Sequence, residues 1–214
     1  MGGINDCIVD KDFLSTLVDT SENSPRIIAI PKVCYYPEKN RIWQAGCKID
    51  WLRGGFKHIG YGKIDRGQYN EQSEVDCATL GMLVKTSFLK DIGNMDASNF
   101  PQYWADVDFM CRARKAGYKI IYQPKSLIWH KSSATVKKKE NESRVSKPGF
   151  FSRLNYLFCS IRSRHNARQV AIFYWRHCPK WLIPFNLVYL YVPAIGGLVL
   201  RTIYPPYHRK QASK

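Results

Sequence analysis

A chain of 214 residues, 45% hydrophobic and 14% aromatic, carries enough apolar material for one packed domain with an appendage, which excludes wholesale disorder. Its net charge of +16 is lopsided: residues 1–130 hold 17 Lys and Arg against 15 Asp and Glu, whereas residues 131–214 hold 16 against 2. The second part is therefore drawn to an anionic surface, either a lipid headgroup layer or a nucleic acid.

Seven cysteines, at 7, 34, 47, 77, 111, 159 and 178, form no C-x-x-C pair and no tight cluster with histidine. Neither a zinc site nor a disulfide framework is expected, and scattered thiols fit the reducing cytosol. The opening MGGINDCIVDKDF lacks a charged-then-apolar leader and reads as no signal peptide. Asn141 in "NES" matches a glycosylation acceptor, which a cytosolic chain would leave unmodified.

In chain order, "DKDFLSTLVDTSENSP" predicts a helix with Leu14, Leu17 and Val18 on one side, ended by Asn23 to Pro25. "RIIAIPKVCYY" predicts a strand in which Pro31 imposes a bend or an edge. Glu38 to Gln72 is rich in Gly and Lys, a long loop with one hairpin, and loops of that length carry function. "VDCATLGMLVKT", residues 75–86, reads as a buried strand, and "SFLKDIG" as a short helix stopped at Gly93. Asp106 then caps a helix running from about Val107 to Ala116, with Gly117 as the stop. "YKIIYQ" follows as a strand, Pro124 as a turn and "SLIW" as a second short strand. Alternating strands and helices argue for an α/β layered architecture.

From Lys131 the character changes. "KSSATVKKKENESRVSKPG" reads as a basic linker, and residues 150–177 as a basic amphipathic helix with Arg153, Arg162, Arg164, Arg168 and Arg176. Residues 181–200 contain no charge, a length that can cross a bilayer core. Pro184, Asn186 and Pro193, with Tyr189 and Tyr191 between, favour an interfacial or re-entrant helix over a straight span. The expected division is therefore 1–135, 136–149 and 150–214.

The stretch "YWADVDFMCRARKAGYKIIYQPKSLIWH" raises a chemical question. A helix out from Asp106 and a strand back from Gly117 can return His130 to the edge where Asp106 sits. A carboxylate there can act as general base, and an imidazole can bind metal or shuttle protons. The same residues also serve plain structural ends: Asp106 as a helix cap, Asp108 with Arg112 as an i, i+4 ion pair, His130 as a polar strand end.

The run "GNMDASNFPQYWADVDFMCRARKAGYKIIYQPKSLIWHK" resembles the family 2 glycosyltransferases of the GT-A fold, notably the rhamnosyl- and galactofuranosyltransferase-like bacterial members. The family's order is a Gly, an Asp, an aromatic stretch ending in D-x-D, R-x-x-x-G-[YF], a Pro and a terminal W-H. All are found here, with Arg114 one spacer residue nearer Gly117 than the pattern asks. "INDCIVDKDFLSTLV" is similar to the family's metal-motif segment, and "IAIPKVCYYPEKNRIWQAGCKIDWLRGG" to the strand and loop that follow. The likeness spans residues 4–131 and, more loosely, the basic helix beyond.

The resemblance implies a partial GT-A fold, an α/β domain whose donor-binding βαβ region is missing in front of Asp6, followed by an α-helical tail. It implies Asp106 as the catalytic base of an inverting transfer, and Asp6 with His130 as ligands of Mn²⁺ or Mg²⁺. Trp104, Asp108 and Arg112 then belong to the structural, acceptor side. Two positions depart from the pattern: Ala105 stands where many relatives carry Glu or Asp, and Ile4 replaces the usual first Asn or Asp of the metal motif. The implied partners are a nucleotide-sugar donor, a polysaccharide or lipid-linked glycan acceptor and an anionic membrane surface on its cytoplasmic side. Nucleic acid is not expected, because the basic tail flanks a bilayer-length apolar run. The alternative is a non-catalytic fragment acting as a membrane-bound interaction module.

Overall fold

The computed structural model describes residues 7–131 and 149–203; Asp6, Asn141 and most of the basic linker lie outside them. Within the described residues the chain divides into two compact units. One comprises residues 7–49, 56–96 and 105–131; the other comprises 50–55, 97–104 and 149–203.

The first unit is a mixed α/β layer. Strand β1 (Cys7–Val9) leads into helix α1 (Phe13–Glu22), then β2 (Ile27–Tyr35), β3 (Ile42–Gln44), β4 (Cys47–Asp50), β5 (Gly55–His58) and β6 (Ser73–Val75). Helices α2 (Leu89–Ile92) and α3 (Ala105–Lys115) precede the longest strand, β7 (Lys119–His130). The sheet order is β1-β7-β2-β3, with β6 also paired to β7, and β4 and β5 form the hairpin expected in the long loop. β7 is parallel to β2 on one edge and antiparallel to β6 and then β1 on the other. That central place explains why Ile27 to Cys34 are all buried: a strand covered on both faces reads as an apolar run rather than an alternation.

α1 forms where its apolar spacing predicts, with Leu17 only 1% exposed. Two other segments differ from expectation. The residues read as two strands around a turn at Pro124 are one strand. Its register with β2 jumps from Pro31↔Gln123 to Lys32↔Leu127, so that Pro124, Lys125 and Ser126 bulge out. Neither Pro31 nor Pro124 can donate a ladder hydrogen bond, and a bulge at that level accommodates both without ending the strand. Ser126 ties the bulge down by donating to the Phe13 carbonyl at 2.9 Å.

The run 75–86, read as a buried strand, is a loop after Val75 that pairs with neighbouring backbone only at isolated bridges, Cys47↔Cys77 and Ala29↔Leu83. Gly81 interrupts it at φ +72, where an added Cβ would lie 2.9 Å from the Pro31 ring. The apolar residues are there to pack, not to pair.

Gly46 is the tightest backbone approach in the first unit. It holds φ +79, and a Cβ there would meet Val75 Cγ1 at 2.7 Å. Gly46→Ala is expected to cost about 2 kcal/mol or more, combining left-handed strain with overpacking. A downward shift of the urea midpoint at unchanged slope checks it.

In the second unit the basic segment is not one helix but two, α4 (Phe150–Cys159) and α5 (Ala167–His177). The break follows from local chemistry: Asn166 starts α5 by accepting the Gln169 N–H at 3.0 Å, while Ser163 donates back to the Leu157 carbonyl at 2.7 Å. Val170, Phe173 and Tyr174 on α5 form a small core with Trp51 and Trp104; the Trp104 and Phe173 rings lie 4.6 Å apart.

The apolar run becomes helix α6 (Ile183–Ile203), which continues through Pro193. Asn186 is fully buried and fastens the start of α6, donating to the carbonyls of Trp51 at 2.8 Å and Leu182 at 2.9 Å. Lys180–Ile203 is long and apolar enough to cross a membrane, with a mean hydropathy of 1.7 and only 11% of its apolar window buried. All seven cysteines are free; five are buried, Cys7 is partly covered, and Cys159 at the end of α4 is exposed.

Candidate active site

Helix α3 begins at Ala105, two residues earlier than expected, so Asp106 is its second residue rather than its cap. The carboxylate still serves the helix start, Oδ1 accepting the Val107 N–H at 2.8 Å. Burial dominates its electrostatics and pushes the Asp106 pKa up to about 6, against the smaller downward pull of the backbone N–H groups. Ala105 supplies no second carboxylate beside it. Just before the helix, Trp104 adopts φ +72, a left-handed conformation that costs a bulky side chain about 1–3 kcal/mol. Its ring belongs to the second unit, where Nε1 donates to the Arg164 carbonyl at 3.1 Å.

Asp108 and Arg112 are structural. Asp108 is fully buried and accepts from Arg112 Nε at 2.9 Å. The same guanidinium donates to the carbonyls of Ile92 and of Asn94, the latter at 2.9 Å. The pair thus staples α3 to the chain leaving α2. At the far end of α3, Arg26 donates to the Ala116 carbonyl at 2.8 Å and Gly117 turns the chain at φ +84 into β7.

His130 ends β7, flanked in register by Cys7 of β1 and Tyr35 of β2. Its ring meets that of Trp43 edge-on, the centroids 5.1 Å apart. Between β7 and α3 the outward and return paths differ: α3 advances about 15 Å, whereas β7, measured on its β2 partners, returns about 26 Å.

A set of neighbouring side chains runs on from His130. The Trp43 ring also meets His58 at 4.9 Å; His58 Nε2 and the Thr79 hydroxyl lie 3.4 Å apart; Thr79 Oγ1 donates to Gln44 Oε1 at 2.8 Å. Gln44 in turn accepts from the Cys47 thiol at 3.7 Å, and Cys47 donates its N–H to the Cys77 carbonyl at 2.8 Å. The Cys77 thiol is held far above its ordinary range by its hydrogen bond with Cys47 and by burial, with the Asp106 charge adding to the rise. Cys111, on α3, is pushed up to about 12 by burial. These thiols are therefore neutral packing groups at physiological pH rather than nucleophiles.

His130, Trp43, His58, Thr79 and Gln44 thus form one run of neighbouring side chains, while Asp106 is linked to Cys77 only through the effect of its charge. Trp43, His58, Gln44 and Thr79, which cluster beside His130, were not singled out from sequence. Their only signal is the scatter of aromatic and imidazole residues in the Gly-rich loop 38–72 and the Thr just beyond it.

For a metal ion, the described residues offer no group of three or more His, Cys, Asp or Glu side chains. His130 brings one imidazole, and Cys7, its register partner, directly follows Asp6 in the chain. An imidazole and a carboxylate suit Mn²⁺ or Mg²⁺ when the oxygens of a diphosphate complete the set.

Comparison with known proteins places the chain in a family. Residues 5–180 match the family described as glycosyltransferase like family 2. The chain is also 26% identical over 136 residues to the uncharacterized protein y4gI of Sinorhizobium fredii (strain NBRC 101917 / NGR234). That stretch is 60% of this chain but 14% of the relative, so the chain spans about a seventh of the length of the protein it matches. With a family match covering most of its length and a mixed α/β layer consistent with nucleotide-sugar transferases, the chain belongs to the glycosyltransferase family 2-like proteins.

Proposed function

We propose that this chain is the acceptor-side part of an inverting, metal-dependent glycosyltransferase that works at the cytoplasmic face of a membrane. Its donor is a nucleotide sugar and its acceptor a polysaccharide or lipid-linked glycan. Residues 1–135 carry the chemistry and residues 150–214 the membrane association. The observation that carries the reading is Asp106: a carboxylate at a helix start, its pKa raised by burial towards the pH at which it must work.

In this mechanism Asp106 takes the proton of the acceptor hydroxyl as that oxygen attacks the anomeric carbon, and the bond from that carbon to the diphosphate oxygen breaks on the opposite side. The configuration inverts because the displacement is in line. His130 and Asp6 would hold the divalent ion, which would offset charge on the diphosphate leaving group.

The sign of the pH dependence follows from the base being active when ionised. Transfer is expected to be constant above pH 7 and to fall about tenfold per pH unit below about pH 6, as Asp106 takes up its proton. A rate profile from pH 4.5 to 8 with Mn²⁺ present checks it.

The deciding experiment is transfer of labelled sugar to membrane acceptors by the full chain, alone and joined to a donor-binding βαβ domain. Transfer by the joined form, lost in Asp106→Ala, is the expected result; a rate unchanged by that substitution sinks the mechanism. The second reading, a non-catalytic membrane-bound interaction module, is favoured by the exposed length of α6. It predicts vesicle binding with no transfer in either form.

A further inference from the structure

Helices α4 and α6 leave a groove of about 590 Å³ between them. On α6 the residues facing it are Pro193, Ala194, Gly197, Leu198 and Arg201, one helical stripe. α4 presents Arg153 near its start and Leu157 one turn on. The Phe158 ring, at the far end of α4, lies 5.1 Å from that of Tyr191, in the middle of α6. The helices therefore run in opposite directions past the groove, which brings Arg153 and Arg201 to the same end of it. At the other end stands His165, beside Tyr191, and the walls between the two ends are mainly apolar.

Packing alone does not explain this stripe. Glycine within a helix costs about 1 kcal/mol relative to alanine, yet a Cβ built at Gly197 meets nothing within 4 Å. The position gives up helix stability and keeps space open. Two guanidiniums at one mouth of an apolar slot are complementary to a group with a phosphate at one end and hydrocarbon at the other. Outside the groove the same helix exposes Phe185, Val188, Tyr189 and Val192, a surface suited to lipid.

From these features we infer that the groove seats one anionic phospholipid. Its phosphate lies between Arg153 and Arg201, and the first carbons of an acyl chain lie along Leu157, Pro193, Ala194 and Leu198. The assignment rests on the membrane reading above and adds to it a specific lipid with a defined address. A bound lipid there fixes how deeply α4 and α6 sit at the interface, with the two arginines at headgroup level.

The test uses the full chain reconstituted with vesicles of phosphatidylglycerol and phosphatidylcholine. Two readouts are taken: flotation with the vesicles, and phospholipid retained per chain after mild detergent extraction, identified by native mass spectrometry. Wild type is expected to float and to retain one phosphatidylglycerol. Gly197→Trp, which fills the slot, and Arg201→Glu, which reverses charge at its mouth, are each expected to float still and to lower retained phosphatidylglycerol about tenfold or more, a charge-assisted contact or the binding space being lost.

Flotation without retained lipid, or retention unchanged in both variants, overturns the groove assignment and leaves the membrane reading standing. Failure of wild type to float overturns both. A wild-type dimer that Gly197→Trp dissociates, with lipid content unchanged, would give the slot to a second copy of the chain and also overturn the assignment.

Discussion

Asp106→Asn is expected to lower transfer by about 100- to 10,000-fold, the usual worth of a positioned general base, while making the domain more stable. The two effects have one cause. Burial raises the carboxyl pKa from 3.8 to about 6, so at pH 7 the folded state holds a charge it disfavours by about 3 kcal/mol. Between pH 3.8 and 6 the folded form binds the proton more readily than the unfolded one. Stability from this group is therefore present at low pH and lost as pH rises through about 6. Asparagine keeps the shape without the charge and should gain about 1–3 kcal/mol at pH 7.

Urea unfolding of both proteins at pH 4 and pH 7 tests this directly. The advantage of the variant should be clear at pH 7 and nearly vanish at pH 4. An advantage that does not change with pH would show that buried charge is not its origin. An inactive variant that is less stable at both would mean that the carboxylate is a helix-start device and no more.

The second large effect is expected at Asp108. Removing one partner of a buried ion pair leaves the other uncompensated, and Asp108→Ala should cost about 3–5 kcal/mol. The figure is at the high end because Asp108 is fully buried and because Arg112, once loosened, also gives up its bonds to Ile92 and Asn94. A double-mutant cycle with Arg112→Met separates the pair from the packing. If Asp108→Ala is active per folded molecule but melts far earlier, the acidic pair in "DVD" divides into one residue for chemistry and one for architecture. If both variants retain stability and lose activity alike, the division proposed here is wrong.

Much of the first unit is legible in the sequence where the governing forces are local. α1 forms where expected, although it buries Leu17 with Thr20 and Ser21 and leaves Leu14 exposed, and Gly93 and Gly117 mark the ends of α2 and α3 because each adopts a backbone conformation that side chains resist. β7 is misread as two strands because its continuity depends on β2, whose Pro31 faces the same bulge from almost a hundred residues away. The stretch after Val75 has the composition of a strand and none of the pairing, since Gly81 must approach Pro31 closely. In the second unit, Asn166 breaks the basic helix through its own side chain, a device visible in the sequence but equally readable as a surface asparagine.

The candidate site divides along the same line. Asp106, Asp108, Arg112 and His130 are found from ordered motifs close together in the chain. Trp43, His58, Gln44 and Thr79 are reached only through the folding of a loop whose contacts span more than thirty residues, as in the bond from Thr79 to Gln44. No periodicity announces them.

The burial of the cysteines has a practical corollary for solution work. With five of seven enclosed and several of these held well above neutral in pKa, a maleimide or nitroxide reagent will find Cys159 first, at the end of α4. The native chain therefore comes with a reporter position beside α4 and α6, and fluorescence or electron spin resonance can follow their surroundings without engineering a single residue.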